Sequence, residues 1–172
     1  TAHYDGVIAA LETRGLRVIP AFASGLDARG PIDRFFFKNG KPTIDAMVSL
    51  TGFSLVGGPA YNDSTAAEDI LARLDIPYVA AQPVEFQTLD QWQAGDRGLM
   101  PIEATMMVAI PELDGATGPI VFGGRGSAAG GGTAMQPHLE RVDALASRVD
   151  KLIALRKTPV ASRKLAVVLF NF

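Results

Sequence analysis

Two carboxylates, Glu112 and Asp114, flank Leu113 in the pentapeptide PELDG at residues 111–115. In extended backbone, residues two apart point to the same side, so this spacing would aim both acids at one spot. Paired carboxylates supply the hard oxygen ligands that a divalent cation such as Mg²⁺ requires, and a positioned carboxylate can take protons. The same residues would also make a solvated acidic turn ahead of Gly115, the common fate of charged side chains. Glu85, in PVEFQ, stands beside Phe86. Burial there would suit it to proton transfer, whereas a salt bridge to a neighbouring loop would make it structural. Glu103 lies within the apolar segment 102–108, where a helix-surface position is the simpler account of it. His3 and His138 could ligate a metal or exchange protons near neutral pH, or serve as caps or surface residues. No HxxxH or HxxE metal spacing is present.

The elements that must position these residues centre on residues 44–63, IDAMVSLTGFSLVGGPAYND. Residues 46–50 have the length and composition of a buried strand. The chain then breaks at Thr51-Gly52 into a long loop that runs to Asp63 and contains Gly57 and Gly58. Ser64 is the expected N-cap of a helix in which Ala67, Ile70, Leu71 and Leu74 recur at helical spacing. Strand, glycine-rich loop and capped helix form the unit from which open α/β sheets build ligand crevices. Long loops in compact domains tend to be functional. The apolar Phe53, Leu55 and Val56 predict that this one lines something flat and greasy.

Around that unit, helix and strand alternate. Residues 3–13 predict a helix with Val7, Ile8 and Leu11 as its stripe, stopped by Gly15. Residues 16–22 predict a strand, 24–31 a loop and 32–37 a short helix. A strand is expected over 76–80, and Thr88 caps a short helix through Trp92. Residues 102–108 fit a helix or a strand. Residues 119–122 predict a strand, followed by the low-complexity GGRGSAAGGGTA, which reads as a linker. Residues 139–156 give the strongest helical pattern, with Pro137 just ahead of the first turn, and 164–172 predict a closing strand. No fixed-period repeat is present. The expected organisation is an α/β core over 1–122, a glycine-rich linker over 123–137, and a long helix with a final strand over 138–172.

The expected fold is α/β, a mostly parallel sheet flanked by helices of Rossmann or flavodoxin-like type. Parallel strands open their C-terminal loops on one edge, where ligands usually bind. Those loops, 24–31, 51–63, 81–88 and 123–137, hold most of the glycines together with Tyr61, Gln87, Glu85 and Arg125, with His138 directly after the last of them. For any single residue, an ordinary polar loop position is the simpler account. A chain that opens on a helix and closes on an apolar strand is expected to be excised from a larger subunit.

Composition narrows the function classes. The 172 residues are 48% hydrophobic and 20% charged, as in ordinary globular domains, with a net charge of −2. That balance, without any Lys/Arg cluster, argues against nucleic acid as a partner. No apolar run has membrane-spanning length, and the first residues lack signal-peptide character. Cysteine is absent, which excludes disulfides and thiolate chemistry; a cytoplasmic location is expected. There is no GxxxxGK[ST] and no GxSxG, so neither ATP hydrolysis nor a nucleophile elbow belongs to this chain.

Long uninterrupted blocks carry a more specific signal: LTGFSLVGGPAYND, PYVAAQPVEFQTLDQW, DRGLMPIEATMMVAIPELDGATGPIVFGGR and KLAVVLFNF. Through these, over nearly all its length, the sequence closely resembles the large subunits of magnesium chelatases, and more distantly those of cobaltochelatases. The resemblance implies an internal piece of a longer subunit that binds protoporphyrin IX and takes part in inserting Mg²⁺. ATP would be used by partner AAA+ subunits, I and D, and not bound here. It also implies a role for the PELDG acids Glu112 and Asp114 in receiving the metal or accepting pyrrole protons, with Glu85 as a further acid. Phe53, Gly57, Gly58, Tyr61 and Gln87 become candidate porphyrin contacts, Arg125 a partner for a propionate, and His3 a candidate metal ligand beside Glu112 and Asp114. A module that only docks the motor subunits is the alternative from another class.

Overall fold

A computed structural model of the chain describes residues 2–58, 60–127 and 132–169. Helix α1 (Ala2–Thr13) buries His3, Val7 and Leu11, the i, i+4 stripe of one helical face. Gly15, at φ 76°, lets the chain leave it. Helix α2 (Arg29–Phe36) leads into a small antiparallel pair, β1 (Phe37–Lys38) and β2 (Lys41–Pro42). Strand β3 (Met47–Ser49) follows, then a second small pair, β4 (Gly57–Gly58) and β5 (Tyr61–Asn62), and helix α3 (Ser64–Leu74). Strand β6 (Tyr78–Thr88) runs into the short helix α4 (Leu89–Ala94). Helices α5 (Pro101–Ala104) and α6 (Ile110–Leu113) are joined by a π turn at Thr105–Ala109. Strands β7 (Thr117–Ser127) and β8 (Thr133–Pro137) precede the long helix α7 (Leu139–Lys157).

The main sheet has the order β3-β6-β7-β8. β3, β6 and β7 are mutually parallel, and β8 returns antiparallel along β7, so the sheet is mixed. Side chains of the central strands alternate between two apolar layers. Val79, Ala81, Ile120 and Phe122 pack under α1 and α7 with Val7, Leu11, Val142, Leu145 and Val149. Tyr78 and Ala80 face the other way, onto Ile32 of α2 and Ala67, Ile70 and Leu74 of α3. Near the C-terminal end of β6, Val84 and Val121 close on Leu89 and the half-buried Trp92.

Several expectations change. Residues 16–22 form no strand: Leu16 and Val18 pack against the α1–α7 core, but Pro20 offers no ladder donor and Phe22 is 87% exposed. The strands expected over 76–80 and 119–122 extend to Thr88 and Ser127, so 81–88 is strand and not loop. GGRGS and TAMQP are the paired strands of a hairpin instead of a linker, with residues 128–131 outside the described residues. Residues 164–169 carry no strand, and Leu165, Val167, Val168 and Leu169 are exposed; 170–172 lie outside the described residues.

The α3 cap is Asp63, one residue before Ser64: its carboxylate accepts the Ala66 N–H at 3.0 Å. Asp63→Ala should therefore lower stability by about 1 kcal/mol and Ser64→Ala by much less, read from thermal unfolding. An equal loss from both would show that the carboxylate is not the cap.

Candidate functional site

The parallel strands converge on an edge at the C-terminal ends of β6 and β7. Glu85, Phe86 and Gln87 finish β6 there, and Arg125 of β7 lies opposite Thr88. Glu85 and Arg125 are exposed and Gln87 is half-buried. Thr88 caps α4 as expected, its hydroxyl accepting from Gln91 N while the Gln91 amide accepts from Thr88 N, a capping box.

Under this edge lies a carboxylate whose depth the sequence did not suggest. Glu103 is fully buried, not at a helix surface. Its Oε1 accepts the backbone N–H groups of Glu85 at 3.2 Å and Phe86 at 3.1 Å. Its Oε2 accepts from Gln87 Nε2 at 2.8 Å and from Met100 N at 2.9 Å. Four donors make the buried charge tolerable, because a buried ion without partners would be strongly unfavourable. One signal was available: Pro101 at the first helical position, with an acid at the third turn position after Met100, is how a helix N-terminus recruits a side chain.

On the opposite face of β6, His3 is 5% exposed and stacks on Phe122, ring centroids 5.8 Å apart, with Tyr4 3.9 Å from it. Its Nδ1 has no hydrogen-bond partner. Burial pushes the imidazole below the ordinary histidine range, which keeps it neutral at pH 7. Burial raises the Tyr4 hydroxyl, and the nearby Glu85 charge raises it further. Tyr4 and Glu85 therefore belong to one neighbourhood. Gln82, on the α3 face of β6, is 2% exposed and its Oε1 is likewise unpartnered.

The PELDG acids lie elsewhere and are not aligned. Pro111 sits in the first turn of α6, so the backbone is helical and not extended, and residues two apart face roughly 200° from one another. Glu112 is exposed, whereas Asp114 is 1% exposed. Asp114 Oδ1 accepts from Ser54 Oγ at 3.0 Å, and Oδ2 from Leu55 N at 2.8 Å. Burial raises its carboxyl above the usual range, and the two hydrogen bonds from Leu55 and Ser54 pull it back in part. The acid thus pins the loop between β3 and α3 to the turn before β7. Thr117 at the start of β7 pairs across from the Val79–Ala81 region, while Glu85 lies six residues beyond Val79, roughly 20 Å along the strand. Glu112 and Asp114 therefore sit toward the opposite end of β7 from Glu85. Among the described residues no three His, Asp or Glu side chains gather to hold a metal ion, so His3, Glu112 and Asp114 form no joint ligand set.

The loop 51–63 is held, not free. Leu55 and Val56 enter the core beside α2 and α3, which accounts for apolar residues where a surface loop was expected. Phe53 is half-buried and Tyr61 is 72% exposed. Gly57, at φ 117°, approaches Tyr61 so closely that a Cβ would lie 2.3 Å from its carbonyl oxygen, and a Cβ on Gly58 would meet Leu26. These glycines fit the hairpin's close approach, and their carbonyl and amide groups knit it to the 24–31 segment through Gly57 N to Leu26 O. Two surface clefts flank these regions. One of about 590 Å³ is lined by Arg29, Asp69 and Arg73 between α2 and α3. The other, about 390 Å³, is lined by Trp92, Gln93, Gly98, His138 and Arg141 and adjoins Gln87, whose amide also donates to Gly98 O at 3.1 Å.

The chain is 53% identical over its whole length to the magnesium-chelatase H subunit of Cereibacter sphaeroides, spanning 16% of that protein. It is 44% identical over 99% of its length to the chloroplastic magnesium-chelatase subunit ChlH of Oryza sativa subsp. indica, spanning 12% of it. In three dimensions 92% of the chain matches 14% of the catalytic subunit of cobaltochelatase from Mycobacterium tuberculosis, with a TM-score of 0.69 and 25% identity. The family described as CobN/Magnesium Chelatase matches residues 1–172, and the chain belongs to that family.

Proposed function

We propose that the chain is part of the porphyrin-binding, metal-inserting subunit of a magnesium chelatase, which inserts Mg²⁺ into protoporphyrin IX with ATP consumed by partner I and D subunits. The observation that carries this reading is the 53% identity to a magnesium-chelatase H subunit over the whole chain, well above the 25% to the cobaltochelatase structure. No helix among the described residues is long and apolar enough to cross a membrane; a cytoplasmic complex is the setting we infer.

Metal entry requires two pyrrole N–H protons to leave the macrocycle and hydration water to leave Mg²⁺. Glu85, exposed at the sheet edge beside Tyr4 and Phe86, is the acid we assign to receiving a proton. Glu112, exposed on α6, is a separate carboxylate that can meet the hydrated cation, whereas Asp114 serves by holding the loop that carries Phe53. Arg125 offers a planar fork to a propionate.

The test is insertion by the full-length subunit. Incubated with I and D subunits, ATP, Mg²⁺ and protoporphyrin IX, it should give the Mg-porphyrin absorption spectrum, and the 172-residue chain alone should give none. Turnover with Co²⁺ and a corrinoid but none with Mg²⁺ and protoporphyrin would overturn the magnesium reading in favour of a cobalt one.

A further inference from the structure

We infer that Glu103 is a positioning residue for metal insertion, one that sets the direction of Glu85 through the backbone and never meets substrate itself. The inference rests on the magnesium-chelatase reading and adds to it a residue with no place in the chemistry proposed above.

The geometry is specific. Glu103 is fully buried, so it is closed to a macrocycle or a hydrated ion. Yet its Oε1 holds the N–H groups of two consecutive residues, Glu85 and Phe86, at the point where β6 leaves the sheet. Two consecutive N–H groups on one oxygen are the geometry of a bulge and not of a regular strand, so the carboxylate fixes both peptide planes and with them the directions in which the two side chains leave the backbone. The β6–β7 ladder is irregular here: the register shifts between Val84 and Thr88, and Glu85, Phe86 and Gln87 have no partner residue on β7. The bonds that a regular ladder would supply are replaced by one carboxylate. Oε2 ties the same segment to the start of α5 through Met100 N and the Gln87 amide, which in turn holds Gly98 O. Without Glu103, the N–H groups of Glu85 and Phe86 would lose their acceptor, and the segment would be free to re-aim Glu85. Displacement by about an ångström of a group that must meet a reacting atom costs up to about a hundredfold in rate.

Three substitutions separate positioning from charge and from bulk stability. Glu103→Met removes every acceptor at nearly the same volume. Glu103→Gln removes the charge but keeps an oxygen for the Glu85 and Phe86 N–H groups; its NH2 then replaces the oxygen that Gln87 and Met100 N share, so the Gln87 amide must turn to accept from it and the Met100 N–H passes to solvent. Glu103→Asp keeps the charge and the helix-start bond but is one methylene short of β6, and it replaces Glu103→Met in the comparison if that variant does not hold its fold. In the full-length subunit with I and D subunits, the expected result is a kcat about tenfold or more below wild type for Glu103→Met or Glu103→Asp. Porphyrin binding, read by fluorescence quenching, should stay within about threefold. Glu103→Gln should lie within about threefold of wild type in both.

A double variant completes the test. In the Glu85→Gln background, Glu103→Met or Glu103→Asp should cause no further loss, because a group acting through Glu85 has nothing left to position. Multiplying losses, an unchanged kcat in the short or apolar variants, or a Glu103→Gln as slow as Glu103→Met would each overturn the inference. If the wild-type subunit turns over Co²⁺ and not Mg²⁺, the magnesium reading fails, while the same rate ratios are read on cobalt insertion and decide the inference separately.

Discussion

Asp114→Ala is expected to destabilise the chain by about 2 kcal/mol or more, while Asp114→Asn leaves it at least as stable as wild type near neutral pH. Alanine strands the buried Leu55 N–H and removes the acceptor of Ser54, and a buried donor left unpaired costs about 1–3 kcal/mol. Asparagine keeps the existing partners: its oxygen accepts from Leu55 N, its amide donates one N–H to Ser54 Oγ, and the Ser54 hydroxyl keeps its bond to Val56 O. The pH dependence separates the two. Burial raises the Asp114 carboxyl in the folded state, so the folded chain binds this proton more readily than the unfolded one. Its contribution to stability is then greatest below the unfolded carboxyl range, falls as pH rises through the window up to the raised folded value, and stays low above it. Asp114→Asn should abolish that slope, as read from urea unfolding at several pH values. An Asp114→Asn variant that loses several kcal/mol at pH 7 would show that the charge itself holds the loop. If it folds normally and the full-length subunit still inserts metal, Asp114 is a structural anchor and the PELDG chemistry rests on Glu112.

How far the sequence leads can be judged residue by residue. The helices at α1, α3, α4 and α7 were legible because each pairs a helical apolar stripe with a stop or cap signal, such as Gly15, Asp63-Ser64, Thr88 and Pro137. The parallel core was legible where apolar runs are short and flanked by helices. The hairpin was not, because Gly123 and Gly124 suit both a linker and a strand in which neighbouring backbone comes very close. Composition cannot tell these apart. PELDG failed for a related reason: two-residue spacing aligns carboxylates only in extended backbone, and Pro111 starts a helical turn there. Glu103 was hidden because its four donors are dispersed from Glu85 to Met100, and three of them are backbone N–H groups that every residue but proline carries. A polar residue in an apolar segment is thus ambiguous until its partners are known.

Gly124→Ala tests the hairpin directly, and its sign is decisive. In a flexible linker, replacing glycine by alanine would leave stability almost unchanged, since folded and unfolded chains lose the same freedom, and a linker fixed in a conformation that suits alanine would gain about 0.4–1 kcal/mol. In β7 the outcome is a loss. A Cβ on Gly124 would lie 2.7 Å from Val84 O, 2.9 Å from Val84 Cβ and 3.1 Å from Val84 N. These are mainly backbone atoms of the adjacent strand β6, so no side-chain rotation can relieve the contact. The strands must part where β6 turns toward Glu85, and overpacking of this kind costs about 3 kcal/mol at the upper end of its usual range. For a chain of this size that corresponds to a drop in melting temperature on the order of 10 °C. Gly25→Ala is the matched control: a Cβ there would meet nothing within 4 Å, so the melting temperature should change by little. Loss of β6 alignment should also reach the edge, so Gly124→Ala in the full-length subunit should slow insertion more than Gly25→Ala at a temperature where both remain folded. A Gly124→Ala chain as stable as wild type would mean that residues 123–127 do not pair closely with β6, and the sheet edge proposed to carry Glu85 and Arg125 would not exist in this form.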